Sequence, residues 1–209
     1  MRQIRHLILD WSGTLVDDLA PVVATTNYVL ARYGLPALTL AEFRCDFYLP
    51  AQKYYAARLP GIPFAELAQL FVERYHEVCD ASTVLPQTPA FLEYCRQSQL
   101  GVFIASAIDP VTYERHSRRF GIEQSVTRAY VGIRDKTQII HTILAENRLR
   151  PGATLFVGDM VHDIAAGRAG GVRTCAVLTG YDDSAKLSAA QPDFICEDLG
   201  ELQERLIHG

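Results

Sequence analysis

The stretch His6-Leu7-Ile8-Leu9-Asp10-Trp11-Ser12-Gly13-Thr14-Leu15-Val16-Asp17 decides the fold, and Leu155-Phe156-Val157-Gly158-Asp159-Met160-Val161-His162-Asp163 repeats its logic far downstream. Each is a short apolar run that stops at an aspartate, the pattern of a strand buried on both faces of a parallel sheet. In such a sheet ligands bind beyond the carboxyl ends of the strands, so Asp10, Asp159 and Asp163 are expected on one rim, placed for chemistry. From Pro86 onward helical and strand patterns alternate: helices near Pro89 to Gln97, Val111 to Phe120, Thr137 to Asn147, Ile164 to Ala169 and Leu199 to Ile207, with strands near Val102 to Ala105, Tyr130-Val131, Thr154 to Val157, Thr174 to Leu178 and Phe194-Ile195. That alternation predicts an α/β fold, a doubly wound parallel sheet covered by helices on both faces.

Between the first strand and this alternation the pattern is helical throughout. A helix is expected from Leu19 to Tyr33, stopped by Gly34 and Pro36. Amphipathic stretches around Ala41-Glu42-Phe43, Tyr54-Tyr55-Ala56-Ala57 and Leu67-Ala68-Gln69-Leu70-Phe71 follow, interrupted by Pro50 and Pro60-Gly61-Ile62-Pro63. The expectation is an all-helical cap at 18–85 inserted into a core formed by 1–17 and 86–209.

Composition narrows the function classes. The chain has 209 residues, 20 Lys plus Arg against 24 Asp plus Glu, and a net charge of −4. No basic block is present to track a nucleic-acid backbone, and no apolar run has the length of a membrane span or a signal-peptide core. Five cysteines, an odd number without close spacing, argue against a disulfide framework or a zinc knuckle and imply a reducing compartment, the cytoplasm. The expected partner is a small phosphorylated metabolite, with no nucleic acid and no membrane, bound by a monomer or homodimer.

Four segments together resemble the haloacid dehalogenase-like hydrolase superfamily, in the phosphoglycolate phosphatase-like subgroup with a helical cap after the first motif. Asp10-Trp11-Ser12-Gly13-Thr14-Leu15 matches the first motif, Asp-x-Asp-Gly-Thr-Leu, except at Ser12. Ser106, after Val102-Phe103-Ile104-Ala105, matches the second, and Lys136, followed by Thr137 instead of the usual Pro, matches the third. Gly158-Asp159 through Asp163 matches the fourth. The resemblance implies Asp10 as a nucleophile forming an aspartyl-phosphate, with Mg²⁺ held by Asp10, Asp159, Asp163 and the main-chain carbonyl of Ser12. It also implies a phosphoryl group bound by Gly13, Thr14, Ser106, Ala107 and Lys136, with Ser106 and Lys136 assisting the chemistry. These residue types suit phosphoryl transfer, because a phosphate ester repels nucleophiles and a hard cation with oxygen ligands and a lysine must screen the charge.

Ser12 is the departure. The family's phosphatases carry there the carboxylate that protonates the leaving alcohol and later activates water, a role worth roughly 10²–10⁴-fold in rate. Three readings follow: a phosphatase that is slow or relies on good leaving groups, a phosphonoacetaldehyde hydrolase-like enzyme with Lys53 as Schiff-base lysine, or a weakened protein that binds a phosphorylated ligand. Ion-pumping ATPases of the superfamily have Thr at this position and a long-lived aspartyl-phosphate, which fits the first. His162 stands as a substitute acid or as a solvated bystander. Arg44, Tyr48, Lys53, Tyr54, Tyr55 and Arg58 form an aromatic and cationic cluster that either grips a second polar part of the substrate, with Lys53 and Arg58 as its contacts, or is cap core with a solvated face. Dehalogenation is disfavoured by the doubly acidic fourth motif.

Overall fold

The computed structural model describes residues 3–209. Its centre is a six-stranded, wholly parallel sheet of β1 (His6–Leu9), β4 (Gly101–Ala105), β5 (Arg128–Tyr130), β6 (Thr154–Gly158), β7 (Arg173–Val177) and β8 (Phe194–Cys196), in the order β5-β4-β1-β6-β7-β8. Strand β1 is central, with Leu9 level with Ile104 on one side and Val157 on the other. This register puts Asp10, Ser106 and Asp159 at neighbouring strand ends.

The period of two along each strand sorts side chains onto two faces. Leu7, Leu9, Val102, Ile104, Leu155 and Val157 join one cluster with Phe91 of α5 (Thr88–Gln97) and Leu202 of α10 (Leu199–His208). Ile8, Phe103 and Phe156 face the other way, against Ile140 and Ile143 of α7 (Lys136–Glu146) and Ala166 of α8 (Val161–Ala169). Trp11 is fully buried on the first side, edge-on to Tyr113 at 4.8 Å, so it anchors the loop after β1 from beneath and belongs to the core.

The helical insertion consists of α1 (Leu19–Arg32), α2 (Leu40–Asp46), α3 (Ala51–Arg58) and α4 (Phe64–Val78). Buried Leu19, Val22, Thr26, Val29 and Leu30 form the inner stripe of α1. The helix ends as expected, with Gly34 at φ +75° and its N–H donating to Ala31 O. The aromatic core of the cap, including Phe43, Phe47, Tyr54 and Tyr55, extends onto Met160 and Tyr181 of the sheet domain.

Three elements escape the sequence patterns. Val16–Asp17 (β2) and Thr83–Val84 (β3) pair antiparallel, fastening the outgoing and returning connections to the cap. Two-residue strands are too short to show a period. Helix α9 (Ser184–Ala189) is only six residues long, and its signal is the Asp183 side chain accepting from Lys186 N–H at 2.8 Å. Helix α8 starts three residues before the expected Ile164, because the side chain of Asp163 reaches back to the Met160 N–H at 3.0 Å.

Candidate active site

Asp10, Asp159 and Asp163 are brought together as the four motifs imply: one carboxylate oxygen of each lies within 4.8 Å of the others, and all three residues are buried. Asp10 is at the end of β1 and Asp159 at the end of β6. Asp163 returns to them because it sits one turn into α8, where its carboxylate also caps the helix.

Lys136 opens α7, is buried, and extends its ammonium between two of the carboxylates, 2.8 Å from Asp10 Oδ1 and 2.7 Å from Asp163 Oδ1. Burial alone would lower its pKa, but the charges of Asp10 and Asp163 outweigh it and hold the amine protonated. One cation against three carboxylates leaves negative charge uncompensated. Burial, then the charges of Asp10 and Asp163, push Asp159 well above the ordinary carboxylate range. Asp163, chiefly through burial, rises to about 7. Asp10 Oδ1 is buried with no hydrogen bond, and its contact with Lys136 is one of charge. A buried, all-oxygen, electron-rich set of this kind fits a hard divalent cation.

The loop after β1 is shaped around this cluster. Thr14 Oγ1 donates to Asp159 Oδ1 at 2.9 Å, and Tyr181 N–H donates to Asp159 Oδ2 at 2.7 Å. Gly13 has φ +74°, and a Cβ there would lie 2.4 Å from Asp159 Oδ2, so only glycine lets the loop close over the carboxylate. Thr179 Oγ1 donates to Gly13 O at 2.6 Å and fixes the loop from the other side. Ser106 is buried at the end of β4, its hydroxyl accepting from Ile108 N–H at 3.3 Å, with Ala107 exposed beside it.

Ser12 is not isolated. Its hydroxyl donates to Asp18 Oδ2 at 2.6 Å; Tyr75 OH donates to the same oxygen at 3.2 Å, and Tyr181 OH to Asp18 Oδ1 at 2.9 Å. Asp18 stands at the N-cap position of α1, yet its carboxylate caps no helix N–H and faces Ser12 instead. It is buried; loss of water raises its pKa to about 6 against the three hydroxyl donors. Asp18, Tyr75 and Tyr181 are the site residues that the sequence patterns missed. The one available signal was a second carboxylate, Asp18, just beyond the first motif.

His162 is corrected from solvated bystander to buried structural group. Its Nε2 accepts the Lys136 N–H at 3.1 Å, and burial, reinforced by the Lys136 charge, pushes its pKa down to about 4. Nε2 also lies 3.3 Å from Asp135 Oδ1, an ion pair only if the ring is protonated; the bound N–H and the burial make it neutral.

The six-residue cap cluster is not assembled over the carboxylates. Arg44 donates to Gly180 O at 3.0 Å, and Arg58 pairs with Asp46 while stacking 4.1 Å over the Tyr54 ring. Tyr54 and Tyr55 are buried in the cap core, Tyr48 donates to the Lys53 carbonyl, and the Lys53 side chain is exposed. Tyr55 is the member that lines the cavity beside Asp10, a space of about 330 Å³ between cap and sheet to which Ser12, Asp18, Ser106, Ala107 and Lys136 also contribute.

All five cysteines are free, although Cys175 and Cys196, on adjacent strands, bring their sulfurs to 3.7 Å. Among the described residues no helix is long and apolar enough to cross a membrane.

Comparison with known proteins agrees with this architecture. The chain is 27% identical over 203 residues to a phosphoglycolate phosphatase of Synechococcus elongatus, covering 95% of each chain. It is 26% identical over 215 residues to a 5′-nucleotidase of Pseudomonas aeruginosa, covering 96% of this chain and 95% of the relative. Among solved structures, a haloacid dehalogenase-like hydrolase from Streptococcus pneumoniae superposes with a TM-score of 0.87 at 23% identity, covering 98% of this chain and 99% of that one. CbbY from Rhodobacter sphaeroides, in complex with phosphate, gives 0.80 at 16% identity and covers 95% and 96%. The sequence profile of the haloacid dehalogenase-like hydrolases matches residues 7–177, and the chain belongs to that family.

Proposed function

We propose that the protein is a Mg²⁺-dependent phosphatase acting on a small phosphorylated metabolite through an aspartyl-phosphate at Asp10. The observation that carries this reading is the convergence of Asp10, Asp159, Asp163 and Lys136, with Asp10 and Lys136 lining the cavity between cap and sheet. Relatives named as phosphatases and a nucleotidase, aligned over nearly the whole chain, support phosphoester hydrolysis as the reaction class. In this reading 18–85 is the cap domain, 1–17 with 86–209 is the core, and the protein works in the cytoplasm as a monomer or homodimer.

The side chains of Asp10, Asp159 and Asp163, with the carbonyl of Ser12, would hold Mg²⁺. When bound, the ion neutralises carboxylate and phosphoryl charge and orients the phosphoryl group for attack. Asp10 attacks phosphorus, and the P–O bond to the alcohol breaks with its electron pair going to the leaving oxygen. Lys136, held protonated, balances charge at Asp10 and at the transferring group, while Ser106 and the loop at Gly13-Thr14 position phosphoryl oxygens. Ser12 and Asp18 together replace the missing acid. The relay starts from protonated Asp18, with the Ser12 hydroxyl turned to the leaving oxygen. Ser12 gives that oxygen its proton while Asp18 gives its own to Ser12 Oγ, which leaves Asp18 ionised. In the second step the same path, reversed, takes a proton from the water that cleaves the aspartyl-phosphate and restores protonated Asp18.

The test is inorganic phosphate release with Mg²⁺ over a panel of phosphomonoesters and phosphonoacetaldehyde. Release from an ester, abolished by Asp10→Asn, supports the proposal; release from phosphonoacetaldehyde alone, trapped by borohydride and dependent on Lys53, replaces it. The exposed Lys53 side chain is not among the groups lining the cavity, which favours the phosphatase reading.

A further inference from the structure

The cavity that opens from Asp10 has a chemical character which the phosphoryl site does not require. Its cap wall is formed by Val22 of α1, Phe47 and Leu49 of the α2–α3 connection, and Phe64, Phe71 and Val72 of α4. No cationic cap side chain lines it. Arg58 is turned onto Asp46 and Tyr54, Arg44 onto Gly180 O, and Lys53 lies outside. The cations that do line it, Lys136 and the exposed Arg134, both come from the β5–α7 segment that delivers the phosphoryl-site lysine, and Lys136 is already matched by Asp10 and Asp163. Beyond the phosphoryl site, the charged groups on the wall are Asp18, Asp109 and the exposed Arg134, and none of the three is a cation of the cap.

A second anionic group packed against the cap wall would lose water against Phe, Val and Leu side chains, where the cap supplies no cation in exchange. An apolar ring would instead remove that wall from water. The volume, about 330 Å³, accommodates such a group beside the phosphoryl moiety.

We propose that the substrate is the phosphomonoester of a neutral, apolar, ring-sized alcohol, aryl or cycloalkyl, whose body packs between Val22, Phe47, Phe64 and Phe71 while its phosphoryl group lies on Asp10. This rests on the phosphatase reading and names its substrate class, distinct from an ester with a second carboxylate such as phosphoglycolate.

Benzyl phosphate and phosphoglycolate are both esters of primary alcohols, so their comparison measures the cavity with little contribution from leaving-group reactivity. With the full chain and Mg²⁺, kcat/KM for benzyl phosphate is expected to exceed that for phosphoglycolate by about tenfold or more, the scale of burying part of a ring. The non-hydrolysable benzylphosphonate is expected to bind tighter than phosphonoacetate by a similar factor in calorimetry. Val72→Lys or, should that variant not fold, Ala68→Arg places a cation in the cavity, and either is expected to reverse the preference. Turnover or binding that favours phosphoglycolate and phosphonoacetate overturns the apolar assignment and leaves the phosphatase standing. Preferential binding of benzylphosphonate without turnover of any ester supports the apolar pocket and overturns the phosphatase. Binding of neither phosphonate overturns the assignment.

Discussion

Ser12 donates its hydroxyl to Asp18 Oδ2 at 2.6 Å, which couples the position where the family's phosphatases carry a carboxylate to a buried carboxylate six residues on. Asp18→Asn keeps the shape but cannot pass on a proton. We expect kcat to fall about 10²-fold for alkyl phosphates, and much less for an aryl phosphate whose leaving group needs no proton. Equal losses for the two leaving groups in steady-state assays would mean that Asp18 only shapes the pocket.

The same contact predicts that restoring the family pattern by Ser12→Asp alone is harmful. It would set two carboxylates against each other in a buried site, where like charges cannot both ionise. The single variant is expected to melt at lower temperature and gain little activity. The double variant Ser12→Asp/Asp18→Asn removes the repulsion and is expected to match or exceed wild type on alkyl phosphates. Thermal melts and phosphate release on the pair check this; a stable, faster single variant contradicts it.

Lys136 is the counter-charge for Asp10 and Asp163. Lys136→Met leaves those carboxylates buried without it, and a loss of about 3–5 kcal/mol is expected from such an unmatched charge. Added Mg²⁺ at 100 times its Kd stabilises a single site by about 2.7 kcal/mol. Calorimetry should show a larger rise in Tm with Mg²⁺ for Lys136→Met than for wild type, and none for Asp159→Asn. An equal rise for all three proteins would place the ion elsewhere.

Gly13→Ala adds a Cβ 2.4 Å from Asp159 Oδ2 at a backbone φ of +74°. The strain is expected to cost about 1–3 kcal/mol. Because the clash falls on a carboxylate of the proposed metal set, Mg²⁺ affinity should drop with it. Chemical denaturation with and without Mg²⁺ separates the two effects. Gly34→Ala, also at positive φ but with open space around it, should lose stability alone.

His162 supplies a pH signature. Its pKa is about 4 when folded against 6.5 for a free histidine, so the folded state holds the neutral ring. Its stabilising contribution is therefore complete above pH 6.5, where both states are neutral. As pH falls below that, the unfolded chain binds a proton that the folded chain refuses, and the contribution shrinks until about pH 4. His162→Gln retains an acceptor for the Lys136 N–H without titrating. Between pH 7 and 5 wild type should lose about 2 kcal/mol relative to this variant. Comparing the two proteins cancels the opposite trend of Asp18 and Asp163, whose raised values favour acid. A gap independent of pH would show that the ring is not held neutral.

The sheet was readable from the chain because each buried strand is a local pattern: Leu7-Ile8-Leu9 and Leu155-Phe156-Val157 are apolar throughout, and each stops at an acid. The cap helices were readable from their apolar spacing, and the acidic triad and Lys136 from motif order. The pairing of β2 with β3 was not, since two residues carry no period. The fate of Arg44 and Arg58 was not either, because a cation beside tyrosines reads the same whether it meets a ligand or, as Arg58 does, Asp46 and Tyr54.

By itself, then, the sequence determined a doubly wound α/β core with a helical insertion, and it singled out Asp10, Asp159, Asp163 and Lys136, which the fold brings together. Both are written in short segments whose periodicity and abrupt acidic ends are properties of neighbouring residues. Only the tertiary structure decided that Ser12 is backed by Asp18, that Tyr75 and Tyr181 close around that carboxylate, that His162 is buried and neutral, and that the cap meets the site with an apolar wall. Tyr75 and Tyr181 lie 57 and 163 residues from Asp18 along the chain. Their meeting depends on how the cap packs onto the sheet, and no local pattern carries that information.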